Sequence, residues 1–237
     1  MEEINIEVTS HCNKACSICP MRDRYKKDII PLGYMDIDLF KRLVDECVKF
    51  RPELNLHKDG EPLMHPQIGE MIKYAKDMGF FVHFATNGIL LDQKKEEIVE
   101  SGLDLLTISV CDKIPYESIE AFMGYKGTRK PITQIKVYGD RDDLPQADRV
   151  IRRQLHEWTD SDSRKTLKPC SKLLTSMAIT WDGYYSLCCV DYKREMTPLH
   201  VKSSSIEEAW KFNKMIYREQ EMGTFFAPCK NCNYWED

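Results

Sequence analysis

The chain has 237 residues and lacks any long apolar run; none approaches the ~20 residues that span a bilayer. It lacks a long basic run too, and its formal net charge is −4. That argues against general nucleic-acid binding, so neither a membrane nor a nucleic acid is expected as a partner. Low-complexity segments are absent, as is any internal repeat beyond strand–helix units. The opening MEEINIEVTS is acidic and alternating, the wrong pattern for a signal peptide, and the expected location is cytoplasmic. Hydrophobic residues make up 42% and charged residues 30%, enough for a core under a soluble surface. The length suggests one large domain, or one domain with a small appendage. Cysteine is the residue in surplus, with ten in all. Clustered cysteines in a reducing compartment point to metal ligation before disulfides.

The pattern along the chain predicts strands at 3–9, 53–58, 80–85, 104–110 and 135–138. Helices are expected from about Asp36 to Phe50, Pro66 to Met78, Asp92 to Ser101 and, more weakly, Pro115 to Phe122. Such alternation implies a parallel sheet. Residues 139–166 are charged and read as a connector. A hairpin over 178–189 turning at Asp182-Gly183 and a helix over 206–222 follow. The stretches HCNKACSIC, DGEP, TNG and the segment around Cys111 each lie just past a strand's C-terminal end. In a parallel α/β barrel those ends converge on the face where active sites form.

Cys12, Cys16 and Cys19 have the spacing C-x3-C-x2-C. Thiolates at this density suit an iron–sulfur cluster. The rival is structural zinc, which closes its sphere with a fourth ligand, and His11 is the nearby candidate. Three cysteines on a four-iron cluster would leave one iron open to a small molecule. This loop resembles the defining motif of the radical S-adenosylmethionine (SAM) superfamily. Gly60-Glu61-Pro62 resembles the family's GGEP motif, with Asp59 in place of the first glycine. Thr86-Asn87-Gly88 resembles its strand-three motif, and GYMDIDLF its usual entry into the first helix. The resemblance, which covers the chain to about Asp140, implies that SAM occupies the open iron through its amino and carboxylate groups. It further implies that one electron splits SAM into a 5′-deoxyadenosyl radical, and that Asp59, Gly60, Glu61, Thr86 and Asn87 bind this cofactor, Glu61 partly through its carboxylate on the methionine ammonium.

A second set comprises Cys170, Cys188, Cys189, Cys229 and Cys232. It resembles the auxiliary-cluster domain called SPASM in its shortened Twitch form. The family spacing G-x4-C from Gly183 selects Cys188 over Cys189. Adjacent strand residues also point to opposite faces, although the residues alone leave either cysteine open. The implied ligands are Cys170, Cys188, Cys229 and Cys232. With five residues after Cys232 there is no room for a second auxiliary set. The expected cofactors are therefore SAM and two 4Fe–4S clusters, one binding SAM and one auxiliary, with electron transfer as the auxiliary role. A zinc site built from the same four residues is the alternative. The expected fold is a partial parallel (βα) barrel over 1–140, a connector over 141–169 and a Twitch-type iron–sulfur domain over 170–237.

Alternation also sorts the strands into faces. Asn5, Glu7 and Thr9 share one face of the first strand, and Asn55, His57 and Asp59 one face of the second, with Lys58 opposite. Thr107, Ser109 and Cys111, then Lys136 and Tyr138, continue the polar side, while His83 comes from a less regular strand. A polar lumen suggests a cavity for a polar substrate, because burying such groups alone is costly. An internal ion pair such as Glu7 with Lys136 is the plain alternative. Cys111, His57 and Lys136 are the candidate catalytic residues. Cys111 is also readable as a small buried residue, and Cys47 reads as core. Arg149, Arg152 and Arg153 either close over substrate or form a solvated charge run.

Within the superfamily, the short length and single auxiliary cluster most resemble dehydrogenases that oxidise a secondary alcohol of an aminocyclitol. That likeness implies oxidation of a sugar, aminocyclitol or peptide, fed by a one-electron reductant such as flavodoxin or ferredoxin. A radical epimerase using Cys111 as hydrogen donor and a peptide-modifying maturase are alternatives. Only eleven residues precede Cys12, so a leader-binding domain is not expected. A non-catalytic zinc-binding module is the alternative of another class.

Overall fold

The computed structural model describes residues 1–19, 21, 31–138, 141–153, 167–196, 198–227 and 229–232. Asp36 starts the first helix, α1 (Ile37–Cys47), by accepting the amides of Asp38 and Leu39, each at 3.0 Å. These amides have no partner within the helix, which is why a carboxylate is favoured there. Phe40, Leu43, Val44 and Cys47 recur at helical spacing and are buried, so Cys47 is core, as the sequence suggested. The remaining helices are α2 (Ile68–Asp77), α3 (Leu91–Glu100), α4 (Tyr116–Lys126), α5 (Lys172–Thr175) and α6 (Ile206–Glu221). The last opens on a reciprocal capping box between Ser205 and Glu208.

The strands are β1 (Glu3–Ile6), β2 (Glu53–Asn55), β3 (Val82–Thr86), β4 (Leu105–Val110), β5 (Ile132–Tyr138), β6 (Arg149–Arg153), β7 (Ser176–Ile179), β8 (Tyr184–Ser186) and β9 (Leu199–His200). They form one open sheet in the order β6-β5-β4-β3-β2-β1-β7-β8-β9. Neighbours from β6 to β7 are parallel, and β8 and β9 are antiparallel. The architecture is thus the expected partial parallel barrel, with the C-terminal segment joined to it through β7 on β1.

Period-two alternation gives the sheet its two faces. Ile4, Ile6, Leu54, Val82, Phe84, Leu106, Ile108, Ile135 and Val137 are fully buried on the helix-covered side. Each such side chain contributes ~1.5–3 kcal/mol. The same core takes in Met177, Ile179, Ile206 and Trp210 from the C-terminal segment. A smaller core of Leu173, Leu187, Ile216, Phe225 and Cys229 surrounds the second cysteine set.

Two expectations need correction. Arg149, Arg152 and Arg153 lie on β6, a sixth parallel strand inside the expected connector. Its exposed, charged residues carry no burial pattern, so nothing in the sequence marked it as a strand. Strand β2 pairs only to Asn55, so alternation stops before Lys58, whose side chain is fully buried on the polar side.

Candidate active site

The loop after β1 is pinned from both sides. Lys14 Nζ donates to the carbonyls of Cys111 (2.8 Å) and Lys113 (2.9 Å) in the loop after β4. Asp112 accepts the Ser17 amide (2.9 Å) and hydroxyl (2.6 Å). Its own φ of +53° is a left-handed conformation that aspartate tolerates. The Cys16 and Cys111 thiols hydrogen-bond to one another, and Asp112 lies within 4.8 Å of both. Cys111 therefore sits against a residue of the triad rather than out in the lumen. Cys12 Sγ lies 3.9 Å from Asn87 Nδ2.

Burial raises the Cys12 thiol to about 11, opposed by a backbone hydrogen bond from Lys14. The Cys16 thiol is raised by its bond to Cys111 and by burial. Protonated thiols held in a loop with this geometry fit a metal, which would displace the protons. They do not fit a single zinc ion, whose four ligand atoms crowd together. Among the described residues, Cys12, Cys16 and Cys19 do not come within 4.8 Å of one another as a set. His11, the fourth ligand that zinc would need, stacks on Tyr34 with centroids 4.5 Å apart. A wider, polynuclear iron–sulfur centre suits the three thiols.

The DGEP and TNG stretches lock onto this loop. A Cβ on Gly60 would lie 2.1 Å from the Thr9 carbonyl oxygen and 2.8 Å from that of His11, so only glycine fits. The Glu61 amide donates to the His11 carbonyl at 2.8 Å. Its buried carboxylate accepts from the Leu63 amide (3.1 Å) and Thr86 hydroxyl (2.7 Å) on Oε1, and from the Asn87 amide (2.7 Å) on Oε2. Burial raises the Glu61 pKa, and these three donors oppose the rise. A carboxylate has about four acceptor positions, so one remains on Oε2 for an ammonium group. Asn87 Nδ2 donates to Asn13 Oδ1 at 2.7 Å, which ties TNG to the cysteine loop. The residues expected to hold SAM are thereby brought together.

Asp59 has a different setting. It forms an ion pair with Lys58 at 2.6 Å, with side chains 5% and 0% exposed. Lys58 also donates to the Asp191 carbonyl at 3.3 Å, beside the second cysteine set. Burial alone would lower the Lys58 pKa, but Asp59 and then Glu7 outweigh it and the net shift is upward. The departure from GGEP thus has a physical reason, because Asp59 neutralises a buried lysine. Sequence reasoning missed Lys58, since the strand ended sooner than its pattern suggested.

Glu7 does not pair with Lys136. It accepts the Trp181 amide (3.1 Å) and faces Arg194 (3.4 Å), which also binds Asp182 at 2.8 Å. Arg194 follows the second cysteine set at a separation that gave no sequence signal for the contact. Burial and then Asp59 raise the Glu7 carboxyl to about 7, against the pull of Lys58, Arg194 and the Trp181 amide.

In the lumen, His57 Nδ1 is buried without a hydrogen-bond partner. The His57 ring meets His83 edge-on at 5.2 Å. Burial holds the His57 pKa well below its ordinary value, helped by His83 and Lys136. Lys136 Nζ lies 5.1 Å from the Tyr138 ring centre and has no carboxylate partner among the described residues. The two predicted catalytic residues of the lumen are therefore electrostatic neighbours.

The C-terminal cysteines also converge. Burial pushes Cys170 up to about 11 and Cys229 up to about 12, with Cys232 a neighbour of both. Cys188 is raised well above its ordinary value by burial, with Cys189 and Cys229 adding to the shift. Cys189 instead feels Lys172, Lys58, Glu3 and Asp59 on the barrel side. The Cys188 thiol thus has Cys229 as a neighbour, whereas the charges acting on Cys189 are those of the barrel side. Among the described residues no three of Cys170, Cys188, Cys229 and Cys232 crowd to single-ion distance, so the donor set fits an iron–sulfur cluster.

The profile of the Radical SAM superfamily matches residues 6–134, more than half of the chain. That of SPASM, an iron–sulfur cluster-binding domain, matches residues 170–233. A tungsten-containing aldehyde ferredoxin oxidoreductase cofactor-modifying protein of Pyrococcus furiosus is 30% identical over 192 residues, 71% of this chain and 52% of that protein. The AdoMet-dependent heme synthase of Methanosarcina barkeri is 30% identical over 122 residues, 51% of this chain and 34% of that protein. The chain thus spans about half or less of the length of these relatives. The crystal structure of BtrN in complex with AdoMet and 2-DOIA superposes with a TM-score of 0.73 at 20% identity, covering 99% of this chain and 94% of that one. Streptococcus suis SuiB bound to S-adenosylmethionine gives 0.60 at 11% identity, covering 88% and 63%. With its cysteine triad, interlocked GEP and TNG loops and second cysteine set, the chain belongs to the radical SAM superfamily and carries a C-terminal SPASM-type iron–sulfur domain.

Proposed function

We propose that this radical SAM enzyme oxidises a secondary alcohol of a polar substrate, a sugar or aminocyclitol, to the ketone. When bound, SAM and its cluster supply a 5′-deoxyadenosyl radical, and the auxiliary cluster supplies an acceptor for one electron. Cys12, Cys16 and Cys19 would hold the first cluster, and Cys170, Cys188, Cys229 and Cys232 the auxiliary one. Gly60, Glu61, Thr86 and Asn87 would orient SAM, while Asp59 acts at one remove by neutralising Lys58. The reaction removes a hydrogen atom from the carbinol carbon, a proton from the hydroxyl group and one electron.

The observation that carries this reading is the buried, unpartnered Nδ1 of His57 on the polar side of the sheet. With no hydrogen-bond partner, this nitrogen is the candidate to accept the hydroxyl proton. Lys136, an electrostatic neighbour of His57, would stabilise the alkoxide that forms as the proton leaves. The epimerase reading needs Cys111 as hydrogen donor, and its thiol lies against Cys16 of the triad.

The test is anaerobic turnover of the iron-loaded protein with SAM, a one-electron reductant, and panels of aminocyclitols, sugars and peptides. Formation of 5′-deoxyadenosine with a product lighter by two hydrogens supports dehydrogenation. Solvent deuterium entering an otherwise unchanged mass would establish the epimerase instead. A peptide substrate in place of the polyols would establish the maturase.

A further inference from the structure

We propose that the Gln220 side-chain amide donates a hydrogen bond to the Cys229 sulfur of the auxiliary site and so sets how readily that site accepts an electron. The inference rests on reading Cys170, Cys188, Cys229 and Cys232 as ligands of one cluster. Gln220 lies near the end of α6 and is 2% exposed. Its Oε1 accepts the Cys170 backbone amide at 2.7 Å. A backbone N–H can only donate, so the oxygen must face Cys170 and the NH2 group must point the other way. That Nε2 is buried and has no hydrogen-bond acceptor. Its neighbour is Cys229, 6% exposed, whose sulfur interacts with the Gln220 side chain.

Buried donors are rarely left without an acceptor. A protonated thiol is a weak acceptor, whereas a thiolate bound to iron is a strong one. The amide is therefore placed for the charged sulfur of a loaded site. Asn213, seven residues earlier on the same helix face, provides the contrast. Its Nδ2 donates to the Leu187 carbonyl at 3.0 Å and lies 3.4 Å from that of Ser176, so it fastens the segment before Cys188. Asn213 is satisfied by protein, and Gln220 is satisfied on one side only. Hydrogen bonds to cluster sulfurs stabilise the extra negative charge of the reduced state and raise its potential. A higher potential favours an electron-accepting role.

The test is EPR-monitored redox titration of the anaerobic holoenzyme, in which the SAM-binding cluster is distinguished by its response to SAM. Gln220→Met keeps the shape and removes the donor. Gln220→Glu keeps the acceptor for the Cys170 amide and replaces the donor with an oxygen. Both should lower the auxiliary potential, Glu more than Met, and the SAM-responsive signal should not move. A roughly tenfold loss in reducibility is expected for Met, about 59 mV for a one-electron couple. An unmoved auxiliary potential in both variants overturns the proposal, as does loss of auxiliary iron from both with the helical signal intact, which would mark Gln220 as structural. A wild-type protein with only the SAM-responsive cluster would instead overturn the underlying ligand reading.

Discussion

Two layers of polar side chains line the inside of the barrel, and they differ in how completely they are paired. The layer nearer the N-terminal ends of the strands is a chain with consistent direction. Gln134 Nε2 donates to the Thr107 hydroxyl oxygen (2.6 Å), and Thr107 lies 2.7 Å from His83 Nε2. His83 Nδ1 meets Asn55 Oδ1 at 2.8 Å, and Asn55 Nδ2 donates to Glu3 at 3.1 Å. Lys172 closes the chain on Glu3 at 2.7 Å. Because Asn55 Oδ1 can only accept, His83 must carry its proton on Nδ1 and accept from Thr107 on Nε2. The layer toward the C-terminal ends is left incomplete. Glu7 Oε1 and His57 Nδ1 are buried without hydrogen-bond partners. One sheet thus links Gln134, Thr107, His83, Asn55, Glu3 and Lys172 into one paired chain and leaves Glu7 and His57 incompletely paired in the next layer. Unpaired buried groups are costly, and this cost is the reason for proposing the open layer as the ligand site and the paired chain, the closed layer, as scaffold.

The sharpest way to break this comparison is to remove one group from the open layer. His57→Gln should reduce product formation by about 10²–10⁴-fold, the range for loss of a positioned acid or base. Cleavage of SAM to 5′-deoxyadenosine should persist, uncoupled from product, and the melting temperature should stay close to wild type. Quantifying both products in one anaerobic assay checks this. Wild-type product yield from the variant would move His57 into the scaffold.

The closed layer should instead appear in stability. Burial lowers the His83 pKa to about 4; Glu3 opposes the shift, and Lys136 and Arg149 add to it. The unfolded chain, with an ordinary pKa near 6.5, binds more protons between these values. The contribution of His83 is therefore present above about pH 6.5 and is lost as pH falls toward 4. Between pH 7 and pH 5 this amounts to about 2 kcal/mol. Anaerobic urea unfolding at the two pH values should show the loss in wild type and a flatter dependence in His83→Gln. Equal slopes would mean that the His83 imidazole is not held neutral.

The chemistry-bearing loops were legible in the sequence, and much of the lumen was not. Cys12, Cys16, Cys19, Gly60 and Thr86 sit in short local patterns whose spacing is itself the signal. The polar face of β1 to β5 followed from alternation, which placed Asn5, Asn55 and Thr107 where they are found. Alternation fails once pairing stops, and so Lys58 was assigned to the wrong side. Alternation offers Lys136 as an alternative partner for Glu7 because both are charged and face inward. Its partner Arg194 lies 187 residues away in sequence, and only the pairing of β7 with β1 brings it near. Strand β6 went unseen because an exposed edge with three arginines resembles a solvated run. Gln220 carried no signal, since its meaning depends on which end of its amide the Cys170 backbone occupies.

The smallest expected effect tests where the closed layer ends. Lys172 follows Cys170 by two residues, and its ion pair with Glu3 is the chain's last link. The two side chains are 29% and 27% exposed, so water screens the pair, and such pairs contribute about 0–1 kcal/mol. Lys172→Met should therefore lower stability by about 0.5 kcal/mol in urea unfolding and leave the auxiliary cluster's EPR signal unchanged. A loss above about 2 kcal/mol would be too large for a screened pair. It would mean that Lys172 neutralises Glu3 for the whole chain back to His83, and that the saturated layer continues into the segment carrying the auxiliary cysteines. In that case His83→Gln and Lys172→Met should not be additive, because both would act on one connected network.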